Sequence, residues 1–426
     1  MGAKSESGLG LTLFVLLMVY IFNFLDRQIV AILAEPIARD LSLSDTQIGL
    51  MAGLAFALFY TIMGLPIARY ADRSTTNRVW LIGGAVAVWS AFTVISGLAQ
   101  TYTQMLLARI GVGIGEAGGT PPAHSLIADK VPPEKRARAI SIYQMGPAIG
   151  SLMGLVLGGL LADTFGWRVA FMVVGLPGLI LAIIVVVALR DPRFEKGKPV
   201  MNVREDTIHA ATFAQSLKFI WDSRAFRYFL VVLPLAGISS YGMIIWATIF
   251  FQRSHGLTAG ETGLSFGVVF GVASALGIWL GGQFSDRWGA LDKRHSQTAS
   301  ALGLFLSVPF IIAALLIEQT WLAIVLFFPG MVLKSLYIGS VPSAIQGLVP
   351  TSSRAVASAT MLFLQNLIGL GVGPLILGYF SDILKPVYGD DSVRYVLMAA
   401  MSMSLMAGIA LWVSRKYLPN ELDRYG

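Results

Sequence analysis

The sequence predicts an all-α membrane protein with twelve transmembrane helices arranged as two pseudo-symmetric six-helix bundles. Three observations lead there. Of 426 residues, 55% are hydrophobic and 13% charged, with mean hydropathy +0.71, far more apolar than a water-soluble core. Apolar runs of about 20 residues, the length that crosses a bilayer, recur along the whole chain. Landmarks in the first half also reappear in the second at a nearly constant spacing, the mark of a duplicated unit.

The spans fall at 11–33, 46–68, 79–97, 105–127, 139–161 and 169–189, then at 228–251, 262–283, 297–316, 321–346, 355–379 and 393–413. The first is long for an export signal and lacks a small-residue cleavage pattern, so it is expected to stay as a helix. An even number of spans puts both termini on one side. Of the 31 lysines and arginines, 23 lie on that side, 5 on the opposite side if Arg394 at the outer edge of the last span is counted there, and Arg27, Arg109 and Lys334 deeper within spans. Both termini are therefore expected in the cytoplasm, with a bacterial plasma membrane as the expected location. The formal charge of +7 follows from this topology and requires no nucleic-acid partner. With no cysteine, and with His124, His209, His255 and His295 at no ligand spacing, no disulfide, metal or cofactor is expected.

The repeat is read residue by residue. Ala68 to Arg73 closes the second span and Gly282 to Arg287 the eighth, 214 positions on, and Arg39 and Gly49-Leu50 recur as Arg253 and Gly263-Leu264 at the same offset. Val131-Pro132 and Arg136-Ala137 return as Val349-Pro350 and Arg354-Ala355 at 218, and Gly159 to Asp163 as Gly378 to Asp382 at 219. The expected domains are residues 1–189 and 228–426, joined by a cytoplasmic linker, 190–227, with eight basic and five acidic residues. Ile208, Phe213, Leu217 and Ile220 would form the apolar stripe of an interfacial helix within it.

Four ionisable residues interrupt two otherwise uncharged spans: Asp26 and Arg27 in the first, Arg109 and Glu116 in the fourth. Each unpaired charge in hydrocarbon costs roughly 2.5–3.5 kcal/mol on an insertion scale, so these should pair with one another or line water. Arg109 and Glu116 are seven residues apart, on one helical face. Asp26, Arg109 and Glu116 lie roughly 10, 6 and 16 Å below the outer ends of their spans at about 1.5 Å per residue. The glycine pattern Gly113-x-Gly115-x-x-Gly118 sits inside an apolar span with no preceding strand, so it is read as helix packing and not as a dinucleotide loop. Gly146, Gly150, Gly154 and Gly158 repeat every fourth residue on one face of the fifth span, while Pro121-Pro122 and Pro147 should bend their helices.

The paired acidic-basic loops, Arg109-x-x-x-Gly113 and Gly146-Pro147 resemble the major facilitator superfamily. Asn23-Phe-Leu-Asp26-Arg27, Gly113-Ile-Gly115-Glu116-Ala117 and Leu126-Ile-Ala-Asp129 resemble its Spinster family, most densely over residues 20–180. The chain departs from that family at Ala68, where a glycine is usual, and in a loop at 72–78 that is about two residues longer. The resemblance implies two six-helix bundles and a proton-coupled transporter of lysophospholipids or sphingolipid-like amphiphiles. It also implies adjoining first and fourth spans, so that Asp26 would pair with Arg109 and Arg27 with Glu116.

On this reading Glu116, with Asp26 second, exchanges the proton, because a carboxylate's proton affinity changes with its burial and neighbouring charge. Arg27 and Arg109 tune it or hold an anionic headgroup. A static ion-pair network orienting two helices is the competing reading. The repeat aligns Asp26 with Ser240 and Glu116 with Lys334, which adds both to the charge network. Tyr241, Met243, Trp246, Met361 and Phe363 would supply an apolar wall for an acyl tail. Asp72-Arg73 and Asp286-Arg287 would latch the cytoplasmic ends of helices in the outward-facing state, and Arg136 and Arg354 would bind helix ends on the same side.

A carrier working as a monomer in the bilayer, with a lipid-like or other organic-anion substrate and protons as partners, is thus the leading class; a carrier of sugar acids or drugs is the alternative. A channel is disfavoured by the two-bundle repeat. An enzyme is disfavoured because no nucleophile stands beside a histidine and no catalytic carboxylate pair stands out.

Overall fold

A computed structural model of the protein describes residues 2–194 and 213–423, which form helices and no strand. In chain order the membrane helices are α1 (Leu9–Leu41), α2 (Asp45–Asp72), α3 (Arg78–Gly97), α4 (Tyr102–Glu116 and Thr120–Lys130), α5 (Arg138–Phe165) and α6 (Trp167–Ala188). In the second half they are α7 (Arg224–Ser254), α8 (Ala259–Leu291), α9 (Lys293–Leu316), α10 (Thr320–Gly347), α11 (Arg354–Phe363, Leu364–Val372 and Gly373–Tyr388) and α12 (Ser392–Ser414). Ten described stretches are long and apolar enough to span a bilayer. One of them, Val356–Ser414, holds both α11 and α12, parted by a 3-10 turn at Gly389–Asp391. The exception is α4, because it is broken.

Local chemistry explains the ends. Asn77 caps α3 by accepting from Val79 N and Trp80 N at 3.0 and 3.3 Å. Thr258 and Glu261 form a reciprocal capping box at the start of α8. Pro121 and Pro122 do not bend α4: they occupy the first turn of its second piece, where a missing N–H leaves nothing unsatisfied. α2, α8 and α11 each widen into π-helical turns, at Leu50–Leu54, Gly267–Ala273 and Leu364–Val372.

The chain divides into two compact units. One comprises Met1–Leu43, Leu50–Glu205 and Leu257–Gly267; the other comprises Ser44–Gly49, Asp206–Gly256 and Val268–Gly426. Each unit therefore takes in a short head segment from the opposite half of the sequence. In the first unit, the glycine face of α5 lies directly on α1: a Cβ added at Gly150 would sit 2.3 Å from the Ile21 carbonyl oxygen. Gly113 and Gly115 likewise bring α4 onto the backbones of α2 at Phe56 and α3 at Trp89, each at 2.6 Å from an added Cβ. Close helix approach of this kind replaces the hydrophobic drive that lipid removes. In the second unit, Phe226, Phe229, Leu233, Tyr337, Val341 and Leu411 form a buried core.

The described part of the linker contains a helix, Phe213–Asp222. Of its expected stripe, Ile208 lies outside the described residues and Leu217 is exposed, whereas Ile220 is buried. Ser216 is buried as well, its hydroxyl donating to Ser353 Oγ at 3.0 Å. The buried face is thus turned by one residue, since part of this helix packs on protein.

Candidate functional site

The site grows from one turn of α1. Asn23, Asp26 and Arg27 stand at i, i+3 and i+4, so all three project from one side of the helix. The glycine seam with α5 occupies another side. Opposite stands Glu116, the last residue of the first piece of α4. Asn23, Asp26, Arg109 and Glu116 are all buried. Arg27 Nε donates to Glu116 Oε2 at 2.6 Å, with the arginine side chain 16% exposed and the carboxylate fully covered. The expected Arg27–Glu116 pair is therefore present.

The second expected pair is not formed: Asp26 neighbours Arg109, Glu116 and Thr93, yet no ion pair joins it to Arg109 within 4.0 Å. Asp26 Oδ1, Glu116 Oε1, and Nε and Nη1 of Arg109 lack hydrogen-bond partners among the described residues. Buried polar atoms left open in this way are expensive unless water, a proton or a ligand serves them. Two acids and two bases thus share one buried cluster with spare donors and acceptors.

Aromatic rings complete it. The Arg27 guanidinium carbon lies 5.1, 5.0 and 4.7 Å from the ring centroids of Phe24, Phe56 and Tyr60, and that of Arg109 lies 5.7 Å from Phe56. Such placement attracts a cation to the ring faces. Sequence reasoning missed Phe56 and Tyr60. Their signal was the i, i+4 aromatic pair on α2, here stacked at 5.6 Å.

Lys334 is buried in the second unit, where Nζ donates to Ser239 Oγ at 2.5 Å and Ser404 Oγ at 2.6 Å. No carboxylate lies within 4.0 Å of it among the described residues. The engaged serine is Ser239 and not Ser240, which faces Tyr337 instead. The proposed wall is split. Met243 and Trp246 are buried in packing, Trp246 Nε1 donating to the Pro374 carbonyl at 3.0 Å. Tyr241 packs against Gly369 and Met361 against the core, while Phe363 is exposed.

Asp72, Arg73, Asp286 and Arg287 are exposed and make no ion pair among the described residues. α8 runs on to Leu291, so Asp286 and Arg287 lie on the helix and not beyond its end. Arg136 Nε donates to the Val131 carbonyl at 3.0 Å and Arg354 Nε to the Gln346 carbonyl at 3.1 Å, each at the end of the preceding helix. The strong ionic knot near these ends is elsewhere. Buried Arg78, at the start of α3, reaches Asp191 at 2.6 Å, Asp129 at 2.6 Å and Ser125 at 2.9 Å. Burial by itself pushes the Asp191 carboxyl up, but hydrogen bonds from the Arg78 side chain and backbone outweigh it and hold the carboxyl below its ordinary value.

The family model of the Major Facilitator Superfamily matches residues 16–374. An MFS-type efflux pump of Mycolicibacterium smegmatis is 31% identical over 405 residues, covering 94% of this chain and 91% of its own length. Protein spinster homolog 1 of Mus musculus is 26% identical, covering 97% and 82%. The crystal structure of a bacterial homologue of the human lysosomal transporter Spinster, inward-facing and unoccupied, superposes with a TM-score of 0.86 at 29% identity, over 97% of this chain and 98% of that one. A chain of membrane helices with these relatives is a multi-pass carrier and not an enzyme, and it belongs to the Major Facilitator Superfamily.

Proposed function

We propose that the protein is a proton-coupled secondary transporter of an amphiphile with an anionic headgroup, such as a lysophospholipid or sphingolipid-like molecule, working by alternating access. The observation that carries this reading is the Glu116–Arg27 pair placed at the break in α4, with Asp26 and Arg109 beside it. Broken membrane helices carry substrate and coupling-ion sites in transporters because their exposed ends bind charge. With both acids ionised, the four charges cancel. Protonating Glu116 releases Arg27 and leaves the cluster with net positive charge, which an anionic headgroup neutralises. Proton and substrate binding are then linked by charge balance alone. Residues 1–189 and 228–426 act as the two moving bundles, with both termini in the cytoplasm and the protein a monomer.

The efflux-pump relative, with 31% identity, favours a second reading in which the cargo is a drug-like compound expelled from the cell. Proteoliposomes decide between them. Labelled lysophospholipid uptake that rises with an imposed pH gradient and vanishes in Glu116→Gln supports the first. Uptake indifferent to both the gradient and the substitution rejects it.

A further inference from the structure

Asp163 and Asp382 occupy equivalent places in the repeat, 219 residues apart, near the ends of α5 and α11. Asp382 caps the head of α2: its oxygens accept from the backbone N–H groups of Asp45 at 2.9 Å and Thr46 at 2.8 Å, and from Thr46 Oγ1 at 2.6 Å. All of these residues lie in the second unit. Asp163 Oδ2 accepts from Gly260 N at 2.9 Å, at the head of α8, and both residues lie in the first unit. Each carboxylate thus sits on the first turn of a helix from the other repeat, where unpaired N–H groups and the helix dipole favour negative charge.

The glycines at these contacts match in the same way. A Cβ added at Gly378 would sit 2.3 Å from the Asp45 carbonyl oxygen, and one at Gly159 would sit 2.2 Å from that of Ala259. From the other side, a Cβ at Gly49 would meet the Pro374 oxygen at 2.4 Å and one at Gly263 the Leu155 oxygen at 2.2 Å. Backbone lies on backbone in both seams, and the four glycines pair off at the repeat's own offsets. The seams differ in reinforcement. Asp45 is also bound by Arg253 at 2.9 Å and Ser381 at 2.6 Å, whereas α8 relies on its Thr258–Glu261 box.

We propose that Asp163 and Asp382 are paired positioning residues of the transport cycle, each clamping the head of one repeat's helix onto the other repeat, so that this end opens only when both clamps release. The inference rests on the alternating-access reading. It adds two residues and two seams lying outside the charged cluster of α1 and α4.

The chain has no cysteine, so a single introduced thiol reports without background. Ala259, at the head of α8 with its carbonyl oxygen against Gly159, is buried and suits a reporter, Ala259→Cys. The rate of maleimide labelling is measured without substrate or pH gradient, so the result is independent of proton coupling and cargo. In the Asp163→Asn/Asp382→Asn double variant labelling is expected to rise about tenfold, with each single variant staying near the wild type, and Gly49→Ala/Gly263→Ala is expected to reproduce the rise by wedging both seams. Labelling unchanged in both the carboxylate and the glycine double variants, with only the melting temperature lowered, overturns the proposal and leaves the carboxylates as static caps. Failure of wild-type uptake in the pH-gradient experiment would instead sink the functional reading while leaving the labelling result standing.

Discussion

Glu116 ends the first piece of α4 with its carboxylate held by Arg27 of α1 at 2.6 Å, while its second oxygen has no partner among the described residues. A pair half-satisfied in this way can be opened by one proton. In Glu116→Gln, gradient-driven accumulation is expected to disappear while substrate exchange without a gradient persists, because the neutral side chain keeps its shape and loses only its titration. Exchange assays on proteoliposomes read both.

The rings around Arg27 contribute on their own account. Replacing Tyr60 by alanine should cost about 0.5–2 kcal/mol, the range of a cation–π contact, and Tyr60→Phe should recover most of it. Thermal unfolding in detergent measures the difference; equal losses in the two variants would assign the effect to the hydroxyl.

Removing Arg78 takes the main cation from two carboxylates, Asp129 and Asp191, where α3, α4 and the start of the linker meet, and leaves them only Arg193, 3.6 Å from Asp129 and donating its backbone N–H to Asp191 at 3.1 Å. Arg78→Ala is expected to lose about 3–5 kcal/mol, the cost of breaking a buried pair. The sign with pH is fixed by Asp191, whose folded value is depressed. Its contribution is complete above the ordinary aspartate value of about 3.9 and disappears as pH falls through the lower folded value. Asp191→Asn should flatten that acid limb in a pH series of melting temperatures.

Lys334 has no carboxylate to lose. Lys334→Met should therefore fold at least as well as the wild type, and replacing buried charge by an apolar residue of similar volume is often neutral or stabilising by about 1–4 kcal/mol. Transport that fails in this well-folded variant would place the amine in the cycle; normal transport would remove it from the charge network.

The α1–α5 seam tolerates no bulk. Gly150→Leu should destabilise by about 1–3 kcal/mol or more, because the Ile21 carbonyl oxygen lies 2.3 Å from where the Cβ must go. Loss of the monodisperse peak on size exclusion is the expected readout.

Much of this architecture was legible in one dimension, because a bilayer imposes length and apolarity on every helix and duplication leaves its spacing behind. The glycine face of α5 followed from helical periodicity, and the Arg27–Glu116 pair from the family resemblance, which implies that the first and fourth spans adjoin. Features set by three-dimensional encounter did not. Trp246 reads as a cavity aromatic until the Pro374 carbonyl is found against its indole. Ser239 displaces Ser240 because an offset between repeats carries no rotation about a helix axis. Nothing local in the sequence marks Arg78, since its partners are 51 and 113 positions away.

The gap in α4 has a mechanical meaning. Residues 117–119, one alanine and two glycines, form the only bridge between its two rods, and the acid sits at the fulcrum. Swinging the first rod about that bridge would carry Glu116 with it and change its distance to Arg27. On the proposed proton-coupled reading, bending and proton affinity would be one coordinate, and a stiffer bridge would slow both together.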